Sequence, residues 1–377
     1  MKQRILQGNI VQVNETKYGQ LIIDNDKISR LIFDEKEYLS NPTLIDNDKF
    51  ICPGFIELQI NGAFGKEFKT DSDSIQIASD NLLKFGTTSF CPTVTTRGIK
   101  TYPKHLNSLI ENFKYAGGTK FLGFHLEGPS LNPKKVGAQN ADLITNPIDI
   151  DLNSYLNENV KMVTLAPELE GGIDFIKKLI SKNIRVGIGH SLMSYEEVNK
   201  IFDSNYMWIV HLFNAMEPLK SREPGVVGFG LNSDAFIGLI VDKIHLHPKT
   251  VEITSKLKLD KIISVSDGSA VTGLDAGTYK IGERTMIKTN ERVTLPNGTL
   301  VGSILTQNIA VKNLIEISNC SINDAVKTVS YNPAKLLGLE NTIGQIKVGN
   351  LADITVLDNS WNIELTFING ELAYEKK

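Results

Sequence analysis

The sequence contains few of the patterns that mark secreted or membrane-bound proteins. It has three cysteines, Cys52, Cys91 and Cys320, which lie far apart and form no Cys-x-x-Cys pair. Scattered single cysteines favour a reducing compartment over a disulfide framework. No run reaches the roughly 18 apolar residues that span a bilayer, and the first residues include no apolar segment typical of a signal peptide. We therefore expect a cytoplasmic protein without a membrane partner.

The sequence also lacks an excess of charge of either sign. It carries 40 basic and 43 acidic residues, with a formal net charge of −3. Such a balance provides no basic field for the phosphates of nucleic acid, so we expect no nucleic-acid partner. An anionic ligand must instead be met by a few local side chains.

The two ends of the chain share a pattern typical of β-structure. Short apolar runs, such as residues 20–23 and 28–33, alternate with turns rich in Asn and Asp, and an Asn369-Gly370 pair separates two further runs near the C-terminus. Neither end is long enough to bury a core alone. We predict that residues 1–50 and 338–377 pair into one small β-sandwich domain.

Between these ends, apolar strand-like runs alternate with helical stretches, which is the pattern of a parallel sheet. The eight runs lie near residues 55–60, 88–95, 120–127, 161–166, 184–189, 208–211, 236–241 and 262–266. No Gly-x-Gly-x-x-Gly motif follows the first run, which argues against a dinucleotide-binding sheet. The pattern predicts a (β/α)8 TIM-like barrel over residues 51–337.

Polar side chains end most of the eight predicted strands, where such barrels carry their chemistry. In chain order they are Gln59 and Asn61, Thr93, Glu127, Glu168, His190, His211, Asp242 and Asp267. This set is rich in metal ligands and in groups that can move protons.

Three of these residues predict a metal site. Only six histidines occur in the chain, and two of them, His190 and His211, end successive strands. Two neutral imidazoles and one carboxylate are common protein ligands of a hydrolytic metal, and Glu127 can supply the carboxylate. The alternative is that each histidine only makes a hydrogen bond at a strand end.

Asp267 is the candidate general acid and base. It ends the last predicted strand, where a carboxylate could take a proton from an attacking water and return it to a leaving group. Because Asp267 precedes Gly268, a simple turn-forming role is the alternative.

Several runs carry a resemblance to a known family. The most specific are Asn214-Ala215-Met216 and Arg222-Glu223-Pro224-Gly225, with further matches at residues 125–129, 164–168, 189–191 and 298–300. Their order, from about residue 53 to residue 353, resembles that of the N-acetylglucosamine-6-phosphate deacetylases of the amidohydrolase superfamily. This resemblance implies hydrolysis of the N-acetyl group of N-acetylglucosamine 6-phosphate.

The resemblance also implies the roles of the metal-site residues. Glu127, His190 and His211 match the family's metal ligands, and Asp267 matches its general acid and base. Many amidohydrolases hold a second metal with a His-x-His motif, whereas this chain has Gln59-Ile60-Asn61, similar to single-metal members. We expect one divalent ion per subunit, zinc as the first choice, with iron, cobalt and manganese as alternatives.

Substrate contacts follow from the same resemblance. Arg222 is the expected phosphate clamp, supplied to a neighbouring subunit's site in a homodimer, although a loop salt bridge with Glu223 is the alternative. His245 matches the family histidine that contacts the sugar. The remaining expected substrate-binding residues are Ala138, Gln139, Asn214, Ala215, Asp242, Leu300, Val301 and Gly302.

One position departs from the family pattern. Gln139 stands where the family usually has a histidine that polarises the amide carbonyl, and Gln can offer an N–H but never a charge. Two alternatives therefore stay open. The substrate could be N-acetylgalactosamine 6-phosphate or another N-acyl amino-sugar phosphate, or the protein could be a weakened relative that binds such a molecule without turning it over.

Overall fold

Strands and helices alternate along the computed structural model, which describes residues 3–377. The strands are, in chain order, β1 (Gln3–Val11), β2 (Thr16–Asp24), β3 (Lys27–Ile32), β4 (Thr43–Leu44), β5 (Lys49–Pro53), β6 (Phe55–Ile60), β7 (Gly62–Ala63), β8 (Lys66–Glu67), β9 (Thr87–Thr95), β10 (Lys120–Phe121), β11 (Phe124–Glu127), β12 (Val160–Leu165), β13 (Arg185–Ile188), β14 (Met207–Ile209), β15 (Phe236–Leu239), β16 (Ile262–Ser264), β17 (Gly277–Ile281), β18 (Arg284–Lys288), β19 (Val293–Thr294), β20 (Ile354–Asp358), β21 (Ile363–Ile368) and β22 (Glu371–Glu375). The α-helices are α1 (Ser74–Asn81), α2 (Tyr102–Glu111), α3 (Gly172–Ser181), α4 (Tyr195–Ile201), α5 (Gly225–Asn232), α6 (Pro248–Lys258), α7 (Gln307–Ser318), α8 (Ile322–Val329) and α9 (Tyr331–Leu337).

The two ends of the chain build one separate sheet, as predicted. Its strand order is β22-β21-β20-β5-β1-β2-β3, with β4 beside β1. Strand β5 joins the two ends, because it pairs parallel to β1 and antiparallel to β20. Leu6, Ile10, Leu21 and Phe367 pack in a core of their own beneath this sheet. The division of the chain at residues 50 and 338 stays a prediction.

The central part of the chain forms the predicted (β/α)8 barrel. Its parallel strands follow the order β9-β11-β12-β13-β14-β15-β16, with β10 and β6 also paired to β9. All eight predicted runs are strands, and the third is divided into β10 and β11. The barrel closes where the Asp267 N–H donates to the Gln59 carbonyl at 2.8 Å and the Asn61 N–H donates to the Gly268 carbonyl at 2.7 Å.

Sequence patterns did not indicate a small antiparallel sheet that follows β16. Strands β17, β18 and β19 form this sheet in that order. A third, small apolar cluster that includes Ala270, Met286, Val293 and Val301 packs beneath it. The insertion places residues from far along the chain at the mouth of the barrel.

No helix within residues 3–377 combines the length and the apolar character needed to cross a bilayer.

A buried ion pair fastens the barrel to the terminal sheet. The Lys120 ammonium, at the start of β10, donates to both carboxylate oxygens of Asp353 at 2.7 Å and to Asn369 Oδ1 at 2.5 Å. The Asp353 side chain is only 2% exposed and the Lys120 side chain 16%. Because Asp353 is shielded from water, it depends on Lys120 for neutralisation.

We therefore expect Lys120→Met to lower the free energy of unfolding by about 3–5 kcal/mol, because it strands a buried carboxylate. Urea unfolding followed by circular dichroism measures this change. Lys17→Met is the matched control, since Lys17 and Glu15 are 50% and 49% exposed and such a surface pair contributes at most about 1 kcal/mol. Equal effects of the two substitutions would contradict the structural role of Lys120.

A second buried carboxyl joins the first and last barrel strands. Glu57 on β6 accepts hydrogen bonds from the Gln59 N–H at 2.9 Å, the Ser266 N–H at 3.2 Å and the Gln307 amide at 2.6 Å. Burial raises the pKa of Glu57 to about 7, although these hydrogen bonds oppose the rise. At pH values between the ordinary glutamate pKa and about 7, the folded protein therefore keeps Glu57 protonated while the unfolded chain does not.

The stability that Glu57 gains from its proton is fully present below the ordinary pKa and is lost as the pH rises through about 7. Glu57→Gln removes this loss, and the buried Gln307 Oε1, which has no partner in residues 3–377, can accept from the new amide after a flip. We expect the variant to gain about 2 kcal/mol relative to the parent between pH 5 and pH 8.

Chemical denaturation at a series of pH values measures this difference. Glu15→Gln, at an exposed glutamate, is the control and should follow the parent at every pH. If Glu57→Gln also runs parallel to the parent, the proton on Glu57 does not contribute to stability.

Candidate active site

Three predicted metal ligands converge at the carboxyl ends of the barrel strands. Glu127 ends β11, and His190 and His211 follow β13 and β14. Glu127 Oε1 lies 3.4 Å from His190 Nε2 and 3.2 Å from His211 Nε2, and the two nitrogens are 3.2 Å apart. All three side chains are buried. The predicted group is therefore brought together in one place.

The donor chemistry of this cluster fits a divalent ion. His190 Nδ1 lies 2.7 Å from the Lys135 carbonyl, and an N–H there turns the lone pair of Nε2 toward Glu127 and His211. Lone pairs and a carboxylate oxygen at such separations repel each other unless a cation or a proton lies between them. Two imidazole nitrogens and one carboxylate oxygen are the donor set expected for a catalytic metal with open positions.

Glu127 is stabilised as a carboxylate by positive charge beside it, here that of the two imidazoles in their protonated form. Burial alone would raise the pKa of Glu127, but hydrogen bonds and positive charge from His190 and His211 outweigh it and hold that pKa well below its usual range. Burial also opposes the charging of His190, yet Glu127 raises the pKa of that imidazole. The site thus stabilises an anionic ligand for a cation.

Two amides fix the orientation of the Glu127 carboxylate. The Gln59 amide donates to Oε1 at 3.0 Å and the Gln139 amide donates to Oε2 at 2.8 Å. Gln139 is itself held by the Thr96 N–H, which donates to its Oε1 at 2.9 Å. One N–H of Gln139 is therefore committed to Glu127, which leaves one for a ligand.

Asp267 lies beside the cluster and has the properties of a proton carrier. Its Oδ1 accepts from the Asn61 amide at 2.7 Å and lies 3.5 Å from the Gln59 amide. Burial, and then the charge of Glu127, raise the pKa of Asp267. A raised pKa makes a carboxylate a better proton acceptor, which suits a group that takes up and returns a proton during a reaction.

Backbone strain marks the same positions. The φ angles of His190, His211 and Asp267 are 51°, 29° and 47°. All three lie in the left-handed region that residues other than glycine rarely adopt. Such a conformation costs about 1–3 kcal/mol at each residue and persists where the surrounding structure enforces it. The fold holds these three side chains in place although their backbone conformations lower the free energy of unfolding.

His245 is the next polar group around the mouth. Its Nδ1 lies 2.7 Å from Asp242 Oδ2, and Asp242 Oδ1 accepts the backbone N–H groups of Ile244 and His245 at 2.9 and 2.8 Å. Burial opposes the charging of His245, but Asp242 outweighs it and raises the pKa of the imidazole. Asp242 thus orients His245 and leaves Nε2 available to a ligand.

One pocket of about 210 Å³ unites most of the predicted site residues. Its walls include the following predicted residues: Glu127, Ala138, Gln139, His190, His211, Asn214, Ala215, His245, Asp267, Leu300, Val301 and Gly302. Asp242 is not part of the wall and instead orients His245 through its hydrogen bond to Nδ1. Arg222 is exposed and does not line the pocket of its own chain.

The pocket also contains side chains that the sequence did not indicate. Glu67, Lys69 and Arg284 contribute to its wall. Lys69 lies in the loop after β8, and Arg284 begins β18 of the inserted sheet, so neither ends a barrel strand. Only the excess of polar residues in these segments could have suggested them.

Two polar residues near strand ends have structural roles instead. Glu168 accepts from Asn132 at 2.8 Å, from the Ser191 hydroxyl at 2.7 Å and from the Leu192 N–H at 2.6 Å, and so holds the loop that follows His190. His125 is fully buried between the Leu58 carbonyl and the Thr164 hydroxyl. Neither lines the pocket.

A larger cavity of about 750 Å³ lies near the amino-terminal ends of β12 and β13. Its wall includes Phe121, Leu152, Lys161 and Arg185 and none of the predicted site residues. Chemistry in barrels of this kind lies at the opposite end, so the smaller pocket is the active-site candidate.

Comparisons with known proteins agree with this geometry. Residues 50–373 match the Amidohydrolase family. The chain is 33% identical over 382 residues to N-acetylglucosamine-6-phosphate deacetylase from Bacillus subtilis, covering 98% of this chain and 96% of the relative. It is 32% identical over 391 residues to the protein of that name from Rattus norvegicus, covering 99% and 94%.

Among solved structures, the N-acetylglucosamine-6-phosphate deacetylase from Pasteurella multocida superposes with a TM-score of 0.89 at 29% identity and covers both chains fully. These matches extend over both the barrel and the terminal sheet. The chain therefore belongs to the N-acetylglucosamine-6-phosphate deacetylase family within the amidohydrolases.

Proposed function

We propose that this protein hydrolyses the amide bond of N-acetylglucosamine 6-phosphate and releases acetate and glucosamine 6-phosphate. The observation that carries the proposal is the convergence of Glu127, His190 and His211 beside Asp267 in one pocket. The choice of substrate rests on the relatives, which are N-acetylglucosamine-6-phosphate deacetylases and match nearly the whole chain. This reaction is a step in the breakdown of amino sugars.

Glu127, His190 and His211 would hold one divalent ion, with zinc as the first choice and iron, cobalt or manganese as alternatives. When bound, such an ion polarises an amide carbonyl and lowers the pKa of water. The end of β6 supplies no imidazole for a second ion, because Gln59 and Asn61 stand there and donate to Glu127 and Asp267.

Asp267 would carry the proton of the reaction. Its carboxylate accepts a proton from the attacking water as the new C–O bond forms, and then delivers it to the sugar nitrogen as the C–N bond breaks. The raised pKa of Asp267 favours the protonated intermediate stage, and Asn61 holds the carboxylate in position throughout. Without this transfer the amine would leave as an unstable anion.

Side chains after β14 and β15 would bind the sugar phosphate. His245, oriented by Asp242, would contact a sugar hydroxyl. The Ala215 backbone N–H would donate to the phosphate, and so would the Asn214 side-chain amide, whose contacts with the His211 and Leu212 carbonyls are long at 3.3 and 3.4 Å. Ala138, Leu300, Val301 and Gly302 would line the space around the sugar, and the second N–H of Gln139 would contact the amide carbonyl.

Arg222 would complete the phosphate site of a neighbouring subunit in a homodimer. The guanidinium is exposed in its own chain, and Leu219 nearby exposes 55% of its surface, which suits burial against a second copy. We place the reaction in the cytoplasm, because all three cysteines are free and two of them are buried.

Asp267→Asn tests the proposal. We expect acetate release from N-acetylglucosamine 6-phosphate to fall by about 10²- to 10⁴-fold, because the amide cannot shuttle the proton. The metal content, measured by mass spectrometry on the same samples, should stay at one ion per chain in parent and variant.

Asp260→Asn is the control for this substitution, since Asp260 precedes the same strand but its side chain is 81% exposed and contacts Lys327. It should release acetate at the parent rate. Two results would overturn the proposal: no acetate from the metal-loaded parent, or an Asp267→Asn variant that keeps at least a tenth of the parent rate.

A further inference from the structure

The active-site pocket contains two cationic side chains that the proposed reaction does not use. Lys69 and Arg284 line its wall, together with Glu67. The Arg284 guanidinium forms an ion pair with the Glu67 carboxylate, so these two charges offset each other. Lys69 has no ion-pair partner of its own among residues 3–377, and Glu67 offsets only part of its charge.

The environment of Lys69 calls for an anion. Its ammonium makes no hydrogen bond and no ion pair with any residue of the 3–377 range. Burial, and then repulsion from Arg284, lower the pKa of Lys69, although the Glu67 charge opposes this shift. An anionic group in the pocket would relieve both effects, because it replaces lost solvation and offsets the repulsion.

Lys69 stands across the barrel mouth from Asn214 and Ala215, the residues proposed to bind the phosphate. Asn214 and Ala215 follow β14, whereas the Lys69 loop lies between β6 and β9, and β9 is four strands from β14 in either direction around the barrel. The Arg97 guanidinium, which follows β9, donates to the Lys69 carbonyl and so fixes this loop on the β9 side.

The wall that carries Lys69 also adjoins the metal ligands. Thr96, directly before Arg97, donates its N–H to Gln139 Oε1, and the Gln139 amide donates to Glu127 Oε2. The Lys69 backbone is therefore linked to Glu127 through Arg97, Thr96 and Gln139. The metal ligands end or follow β11, β13 and β14, and so they extend from the neighbour of β9 to the strand that precedes Asn214.

A scissile amide has two sides, an amine side and an acyl side. If the phosphate lies on the β14 side, as in the proposed function on which this inference rests, then the acyl group points across the metal site toward Lys69. We propose that Lys69 is a specificity residue that binds a carboxylate on the acyl side, so that the protein cleaves N-acyl amino-sugar phosphates whose acyl group ends in a carboxylate.

In this reaction water supplies the oxygen of the new carboxyl group and the C–N bond breaks. The amine takes the proton, and a dicarboxylate leaves.

Two probes of equal size test the role of charge. They are glucosamine 6-phosphate bearing an N-succinyl group and the same sugar bearing an N-succinamoyl group, in which an amide replaces the distal carboxylate. We expect kcat/KM of the metal-loaded parent to be about tenfold higher for the charged probe, the factor that one charge-assisted hydrogen bond provides.

Lys69→Met should remove this preference, to within about twofold, and leave N-acetyl hydrolysis within about threefold of the parent. Lys66→Met is the matched control, because Lys66 lies in β8, just before the Lys69 loop, but forms an ion pair with Asp73 at 2.9 Å and does not line the pocket. It should keep the full preference for the charged probe.

The outcomes separate this inference from the proposed function. Equal kcat/KM of the parent for the two probes, or a preference that survives Lys69→Met, would overturn the role of Lys69 while N-acetyl hydrolysis still proceeds. An equal loss on all three substrates in Lys69→Met would also overturn it, since Lys69 would then act on the phosphate or on the fold. Failure of the parent on the N-acetyl substrate would instead overturn the proposed function.

Discussion

The active end of the barrel depends on the close approach of one carboxylate and two imidazoles that share a buried position. Glu127 Oε1, His190 Nε2 and His211 Nε2 lie within 3.4 Å of one another, a separation at which unprotonated donor atoms repel. Gln59 and Gln139 hold Glu127 against this repulsion, and the Lys135 carbonyl holds His190. The left-handed φ angles at both histidines cost further stability. Such an arrangement is explained by a cation that draws the three donors together.

The same side chains that hold the ligands also connect them to the proton carrier. Gln59 reaches both Glu127 and Asp267, and its backbone accepts from the Asp267 N–H where the barrel closes. Glu57, two residues earlier, accepts from Gln59 and from Ser266, which follows the neighbouring strand β16. The closure of the barrel and the spacing of the catalytic groups therefore rest on one set of contacts along β6.

Residues whose positions follow from strand periodicity were predictable, and residues placed by loops were not. His190, His211 and Asp267 end apolar runs, so the barrel alone brings them to one face. Lys69 and Arg284 are separated by more than 200 residues and meet only because an inserted sheet, with its own small core, folds over the mouth. Glu168 also follows a barrel strand, but its carboxylate holds a loop and does not line the pocket. A position at a strand end does not reveal which hydrogen-bond donors lie nearby.

Titration of the chelated protein with zinc in a calorimeter tests the central claim most directly. A cation site made of Glu127, His190 and His211 predicts one tight ion per chain, and it predicts that His211→Asn loses at least about 100-fold in affinity while a His247→Asn control, at an exposed histidine, binds as the parent does. If the parent binds no stoichiometric ion, or if His211→Asn binds as tightly as the parent, then the convergence of these three side chains has another cause and the account of this site is wrong.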